Sequence, residues 1–353
     1  MKKYLALEDM VNTNCAMVLD IIQKKGTVSR KEITEISELS WGGMTKIVNK
    51  LLEKGYIIET KSDKGTTSGR TPTFLSVNTS RNFIIGLDIN LTGLNAIVIN
   101  MAGTVLENIS APAPQKNYAE FLSGIIDFIR EITEQFEENS IISLGIAMQG
   151  IVDHKNGISV KFPGVEGWEN VPLRYILEKT FGINVFLEHD PDCLLYSHLQ
   201  YDKKENITLL RIDKSIGMAV ALYGKMIKGE GVFEIAHNIV VPNGKHCICG
   251  QNGCLQAYIS PCMKENIVCE SETEMLVEPL AITIKNLSNI LCSDKIILTG
   301  TLMKHKHLFE QQLDYRLKKL ACNTHIEFSE ISGYAERGAA LIALHKSINS
   351  LII

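Results

Sequence analysis

Tryptophan, proline, an excess of basic residues and long apolar runs are all scarce in this chain. Only 2 Trp and 9 Pro occur among 353 residues, and 45% of residues are hydrophobic against 22% charged, which excludes collagen-like, low-complexity and disordered classes. No apolar stretch approaches the roughly 20 residues needed to span a bilayer, and the N-terminal segment has no apolar core followed by a cleavage site. A cytoplasmic protein with no membrane partner is expected. The net charge of −4 excludes a uniformly basic nucleic-acid binder. The length excludes a lone small module and predicts more than one domain.

Charge is unevenly distributed. Residues 1–80 carry 12 Lys/Arg against 9 Asp/Glu, whereas residues 81–353 carry 24 against 31. The first segment begins with Val11, Cys15, Val18 and Ile22, one apolar stripe of a helix over 9–25 that Gly26 can end. Ser29 and Glu32 form a capping box for a short second helix whose inward face is Ile33 and Ile36. A third helix starts near Ser40, buries Met44, Ile47, Val48 and Leu51, and stops at Gly55. The tight link between the last two is a helix-turn-helix pattern. Two strand-like runs, 56–60 and 73–77, flank a polar stretch from Lys61 to Arg70 and read as a wing.

A winged helix-turn-helix lays its third helix in the major groove of double-stranded DNA. Ser40, Trp41, Gly42, Thr45, Lys46 and Asn49 are the residues expected to face base edges and backbone there, with Lys64 and Arg70 of the wing on phosphates or the minor groove. The alternative is a three-helix protein-interaction module with an ordinary charged loop.

The larger segment repeats itself. In 83–106 and again in 207–227 a β-run ends at an Asp (Asp88, Asp213), a glycine follows (Gly93, Gly217), a second β-run comes next, and a glycine turn (Gly103, Gly224) opens a third, short strand, 104–106 in the first copy. Helices over 118–136 and 171–180 would cover the sheets. The prediction is two related α/β lobes with a cleft between them. The expected units are 1–80, 81–190 and 191–332, with a helix at 333–349 returning to the first lobe.

Nine cysteines are present, and three of them, Cys247, Cys249 and Cys254, crowd into one glycine-containing segment just after His237. In a reducing compartment this clustering points to a metal before a disulfide. One imidazole and three thiolates satisfy tetrahedral Zn²⁺ with no open position, so a structural ion is expected. His246 is a competing nitrogen, strained by its adjacency to Cys247.

The run Glu234-Ile235-Ala236-His237 followed by Cys247-Ile248-Cys249-Gly250-Gln251-Asn252-Gly253-Cys254-Leu255-Gln256 resembles the motif of the ROK family of sugar kinases and sugar-responsive repressors. The resemblance extends over the whole chain, and the N-terminal segment, with Gly69-Arg70-Thr71-Pro72, resembles the repressor branch of the xylose and N-acetylglucosamine type. It implies an α/β body of two actin-like (ribonuclease H-like, duplicated) ATPase lobes. A sugar would lie in the cleft and the zinc loop would shape its wall.

The resemblance also separates two functions. Glu188-His189-Asp190 matches the family's Glu-Asn-Asp, so Asp190 stands where the kinases keep their base. The phosphate-binding turns are not kept. Asp88-Ile89-Asn90-Leu91-Thr92 stands in place of Asp-x-Gly-Gly-Thr, Lys214-Ser215-Ile216-Gly217 in place of Thr-Gly-x-Gly, and Thr299-Gly300-Thr301 in place of paired glycines. Side chains then occupy places where bare backbone should meet phosphate. Asp190, Glu234 and His237 match sugar-contacting residues, Gln256 replaces a Glu, and His189 replaces an Asn. Trp168 is either a sugar-stacking platform or a core residue.

The implied function is a non-catalytic, sugar-responsive repressor. A sugar or sugar phosphate would release it from a palindromic operator bound as a homodimer, with pairing of dimers into tetramers left open. The alternative is an ATP-dependent sugar kinase with Asp190 as base. A third reading has a protein as the effector.

Overall fold

The computed structural model describes residues 7–61, 73–114, 117–199, 205–229, 233–262, 270–329 and 334–350. Helix α1 (Leu7–Lys25) is followed by a two-residue strand β1 (Val28–Ser29) and by α2 (Arg30–Ser37). The expected capping box is formed: Ser29 accepts from the Glu32 amide, and the Glu32 carboxylate accepts from the Ser29 amide at 2.8 Å. Helix α3 (Trp41–Glu53) is capped by Ser40, whose hydroxyl accepts from the Gly43 amide at 3.2 Å, and it buries Met44, Ile47, Val48 and Leu51. Strands β2 (Ile57–Lys61) and β3 (Thr73–Val77) complete an antiparallel sheet in the order β1-β3-β2. Ile36 departs from expectation. It is 47% exposed, because α2 is only two turns long and Ile33 alone reaches the core between the helices.

The first lobe contains β4 (Phe83–Asn90), β5 (Gly93–Ile99), β6 (Val105–Pro112), α4 (Tyr118–Thr133), β7 (Ile141–Met148), the short strands β8 (Ile151–Asp153), β9 (Ile158–Lys161) and β10 (Glu169–Val171), α5 (Leu173–Phe181) and β11 (Asn184–His189). Helix α6 (Asp190–Leu199) leads to the second lobe. There lie β12 (Ile207–Ile212), β13 (Ile216–Leu222), β14 (Lys225–Ile227), α7 (Gln256–Cys262), α8 (Glu270–Leu291), β15 (Lys295–Thr299), α9 (Glu310–Lys319) and β16 (His325–Phe328), and the chain closes on α10 (Ala335–Ser350).

The main sheets run β11-β7-β4-β5-β6 and β14-β13-β12-β15-β16. Read from opposite ends, both have the order fifth, fourth, first, second, third. The first three strands are antiparallel and the last two pair in parallel, so the duplication in the sequence is a duplication of topology. Strand β6 is longer than expected, because most of its side chains are exposed on an edge and leave no apolar alternation to read.

Helix α10 returns across the molecule and packs on β4, β7 and α6. Its approach to α6 is close: a Cβ on Gly338 would sit 1.7 Å from the Cys193 carbonyl oxygen, so only glycine fits. Leu341, Leu344 and Ile348 of α10 join Ile97 and Ile99 of β5, Val18 and Ile22 of α1, and Val48 and Leu51 of α3 in one core. The winged helix is therefore fused to the first lobe through shared apolar packing, not tethered by a linker.

Candidate functional site

Four donor groups converge in the loop before α7. Ligand atoms of His237, Cys247, Cys249 and Cys254 all lie within 4.8 Å of one another. Nδ1 of His237 is 3.6 Å from the Cys247 sulfur, and the sulfurs of Cys249 and Cys254 are 3.6 Å apart. Metal–sulfur bonds of about 2.3 Å at tetrahedral angles place sulfurs ~3.8 Å apart, so the set can hold one ion. The loop is shaped by backbone bonds, with Cys247 N donating to Gln251 O at 2.8 Å and Gly253 N to Lys245 O at 2.8 Å. Gly253 has φ +85°, and a Cβ there would lie 1.8 Å from the Val241 carbonyl oxygen. His246 is engaged elsewhere, its Nδ1 3.1 Å from Asn252 Oδ1.

The cleft is organised by a residue that sequence reasoning missed. Arg211, in β12, donates from Nη1 to Asp190 Oδ2 at 2.6 Å and from Nε to Asp213 Oδ2 at 2.7 Å. Asp213 also accepts from the amide and hydroxyl of Thr301, at 2.7 and 2.6 Å. Burial pushes Asp190 up to about 6, and Arg211 pulls the other way. The aspartate that the kinase alternative would make its base is thus already held by a fixed cation. The only signal for this in the sequence was an arginine interrupting a buried strand two residues before Asp213. Asp88 is 7% exposed and has one oxygen on Asn90 Nδ2 at 2.8 Å, while its Oδ1 is buried without a partner. Burial pushes Asp88 up to about 6 as well.

A second missed cluster clasps the lobes. Fully buried Glu188 of β11 accepts from Lys228, which follows β14, and from Lys346 of α10. Burial alone would raise Glu188, but the two ammonium groups outweigh it and hold the carboxyl below its usual range.

The expected sugar contacts are dispersed among these features. His189 lies beside Asp190, Nε2 to Oδ1 3.5 Å, and burial pushes it down to about 4. Of the five residues, only His189 lines the small cavity it shares with Asp192 and Phe233, and that cavity measures about 20 Å³, room for roughly one water. Glu234 is exposed. Gln256 is 6% exposed and donates to the Lys214 carbonyl and to Ser260, each at 2.6 Å, leaving its Oε1 buried with no partner. Trp168 is a core residue, 1% exposed, its indole N–H donating to Ser159 at 2.9 Å amid Phe121 and Phe162.

On α3, Trp41 is 58% exposed, and Gly42, Lys46 and Asn49 are also exposed. The Thr45 hydroxyl donates to the Trp41 carbonyl at 2.8 Å. Arg30, another residue not anticipated, donates to Asn49 Oδ1 at 3.4 Å and to Glu59 at 2.7 Å, fixing the Asn49 side chain on the outer face. Lys64 and Arg70 lie outside the described residues.

A sequence model described as the ROK family matches residues 84–263, half of the chain. The chain belongs to the ROK family. A winged helix-turn-helix DNA-binding model matches residues 17–58 of this ROK protein. Among its relatives are the xylose repressor of Caldicellulosiruptor bescii, 24% identical over 70% of this chain and 63% of the relative, and the DNA-binding transcriptional repressor Mlc of Escherichia coli, 26% identical over 72% and 64%. The chain thus spans just under two thirds of the length of these relatives. A solved ROK family transcriptional regulator, described as a homolog of E. coli Mlc, superposes with a TM-score of 0.83 at 20% identity over 98% of this chain and 99% of that one. A ROK family glucokinase from Streptomyces griseus, solved with glucose and AMPPNP, superposes with a TM-score of 0.61 at 18% identity over 74% of this chain and 99% of its own. The fold is a winged helix-turn-helix followed by the two-lobed, actin-like ROK body. No described helix is long and apolar enough to cross a membrane.

Proposed function

We propose that this ROK protein is a sugar-responsive transcriptional repressor and not a sugar kinase. One observation carries the reading: the winged helix shares a core with the first lobe, and Arg211 of the second lobe holds Asp190 where the lobes meet, so a DNA-binding unit is built onto a body whose kinase-type base is already paired. A kinase needs that carboxylate free to take a hydroxyl proton, and needs backbone turns that approach phosphate. Here Asp190 is committed and the turns carry side chains.

The functional units follow the chain as residues 1–80 for DNA, 81–190 with the helix at 333–349 for the first lobe, and 191–332 for the second. Trp41, Gly42, Thr45, Lys46 and Asn49 face operator DNA, Ser40 positions the helix start as its cap, and Lys64 and Arg70 of the wing reach the backbone. The protein acts as a homodimer on a palindromic site in the cytoplasm. His237, Cys247, Cys249 and Cys254 hold a structural Zn²⁺, which when bound pins the loop leading into α7. Gln256, the first residue of α7, then offers its unpartnered Oε1 to a sugar hydroxyl, together with Glu234, His237, His189 and Asp190. The His189 cavity has to open for that, and sugar binding shifts the lobes only by its preference for the open arrangement.

Gel-shift titration of the protein on its own promoter DNA, with and without free and phosphorylated sugars, tests the reading. Specific binding released by a sugar is expected. Absence of specific DNA binding under every condition overturns it, as does phosphoryl transfer from ATP to a sugar that is abolished by Asp190→Ala.

A further inference from the structure

The His189 cavity holds about one water, whereas a separate cavity of about 680 Å³ lies between the lobes, within the size range of small-molecule sites. Its wall is made of the segments whose phosphate-binding glycines are missing, Asp88 and Asn90 on one side and Thr299–Thr301 on the other. Strands β5 and β6 add Asn95, Asn108 and Ser110, and the first turn of α10 adds Glu336.

The lining chemistry argues against a polyphosphate. Three carboxylates, Asp88, Asp213 and Glu336, face two cations, Arg211 and Lys304, and Arg211 already directs its Nη1 and Nε to Asp190 and Asp213. Among the described residues of the wall, the buried side-chain atom left without a partner is an acceptor. Asp88 Oδ1 is buried with no partner, in a side chain only 7% exposed, and Glu336 is 4% exposed beside it on the same cavity. A buried acceptor left unmade costs about 1–3 kcal/mol, so such atoms favour a ligand that brings O–H donors. The two cations offset most of the negative charge, which suits a neutral polyol better than an amine.

We propose that this cavity is a ligand seat for a neutral, hydroxyl-rich molecule of sugar size, separate from the family-type sugar contacts, and that Glu336 transmits its occupancy along α10. The raised affinity of Asp88 for its proton fits a carboxyl waiting for a donor. Glu336 precedes by two residues the Gly338 contact with α6, where there is no room for slip, and the same helix carries Leu341, Leu344 and Ile348 into the core of α1 and α3. A ligand that moves Glu336 moves a rigid rod whose far end is the DNA-binding unit. Binding itself does not depend on the repressor reading; only the transmission does.

Calorimetric titration of the full-length protein with D-xylose, N-acetylglucosamine and cellobiose, with magnesium-ATP as the polyanionic comparison, tests the seat. At least one neutral sugar should bind. Asn108→Trp, which fills the cavity from an exposed edge strand, and Glu336→Gln should each weaken that binding by about tenfold or more, the scale of a lost hydrogen-bonded contact to a charged group. Tyr175→Ala, at an exposed position of α5 outside the cavity wall, should leave it within about threefold. Ser110→Phe replaces Asn108→Trp if the latter misfolds. The inference is overturned if no sugar binds, if magnesium-ATP binds in their place, or if Gln256→Leu abolishes binding that Asn108→Trp spares. Gel shifts on the same preparations keep the two readings apart: loss of operator binding refutes the repressor, whereas intact operator release by sugar in Glu336→Gln refutes transmission through α10.

Discussion

Arg211 donates to Asp190 at 2.6 Å, joining the C-terminal end of β12 to the first residue of α6, where one lobe hands over to the other. Both groups are largely buried, so their pairing offsets a desolvation cost that neither bears well alone. Arg211→Leu should destabilise the protein by about 3–5 kcal/mol, because it strands Asp190 and Asp213 beside Asp88. Arg211→Lys should recover only part of this, since a point charge cannot bond two carboxylates through a planar fork. Urea denaturation of the three proteins checks the order. Equal stability of Arg211→Leu and wild type would contradict the assignment.

Asp88 makes stability fall as pH rises. Its folded value, about 6, lies above that of an exposed aspartate at 3.8, so the native state binds more protons between those values. The stability it contributes is complete below about pH 4 and is lost as pH climbs through about 6. Asp88→Asn should therefore be more stable than wild type at pH 8, by about 1–3 kcal/mol, with the gap closing at pH 4. A gap independent of pH would show that the carboxyl titrates normally.

Removing the metal should loosen the loop without unfolding the lobes. The Cys₃His set lies outside both main sheets, and an ion held there would link only residues 237–254. Protein purified without chelator is expected to contain one zinc per chain by elemental analysis. Cys254→Ser or chelation should lower the melting temperature and weaken sugar binding at Gln256 while the far-ultraviolet circular dichroism stays native. Protein that contains no metal, yet melts and binds as described, would remove zinc from the account.

On the DNA side, Lys46 and Asn49 should behave differently. Lys46→Ala is expected to weaken operator and random DNA alike and to lower the salt slope by about 1, as loss of a phosphate contact does. Asn49→Ala should cost about 1–3 kcal/mol on the operator and relax its sequence preference. Arg30→Ala should resemble a milder Asn49→Ala, because Arg30 orients that amide. Binding isotherms at several salt concentrations distinguish the three.

Glu188 holds Lys228 and Lys346 where β11, the second lobe and α10 meet. Glu188→Ala should cost about 3–5 kcal/mol, leaving two ammonium groups without their shared carboxylate. Because the folded carboxyl titrates below its usual range, this contribution is present at neutral pH and is lost as the medium is acidified through the carboxylate range. Wild type and Glu188→Ala should therefore converge in stability under strongly acidic conditions, as followed by denaturant titration.

Local pattern alone determined the elements whose information is contiguous. The three-helix order, the Ser29/Glu32 capping box, the repeated strand-Asp-strand layout and the Cys247–Cys254 loop all depend on residues within a few positions of one another, and period and capping chemistry suffice to read them. Even there, the burial of Ile36 and the length of β6 could not be read, because each depends on what lies across from it. Tertiary structure decided everything that joins distant positions. Arg211 meets Asp190 across 21 residues, Lys346 meets Glu188 across 158, and α10 ties the cleft to α1 from the opposite end of the chain. Such contacts are selected by packing and desolvation in three dimensions, and periodicity along one dimension carries no trace of them.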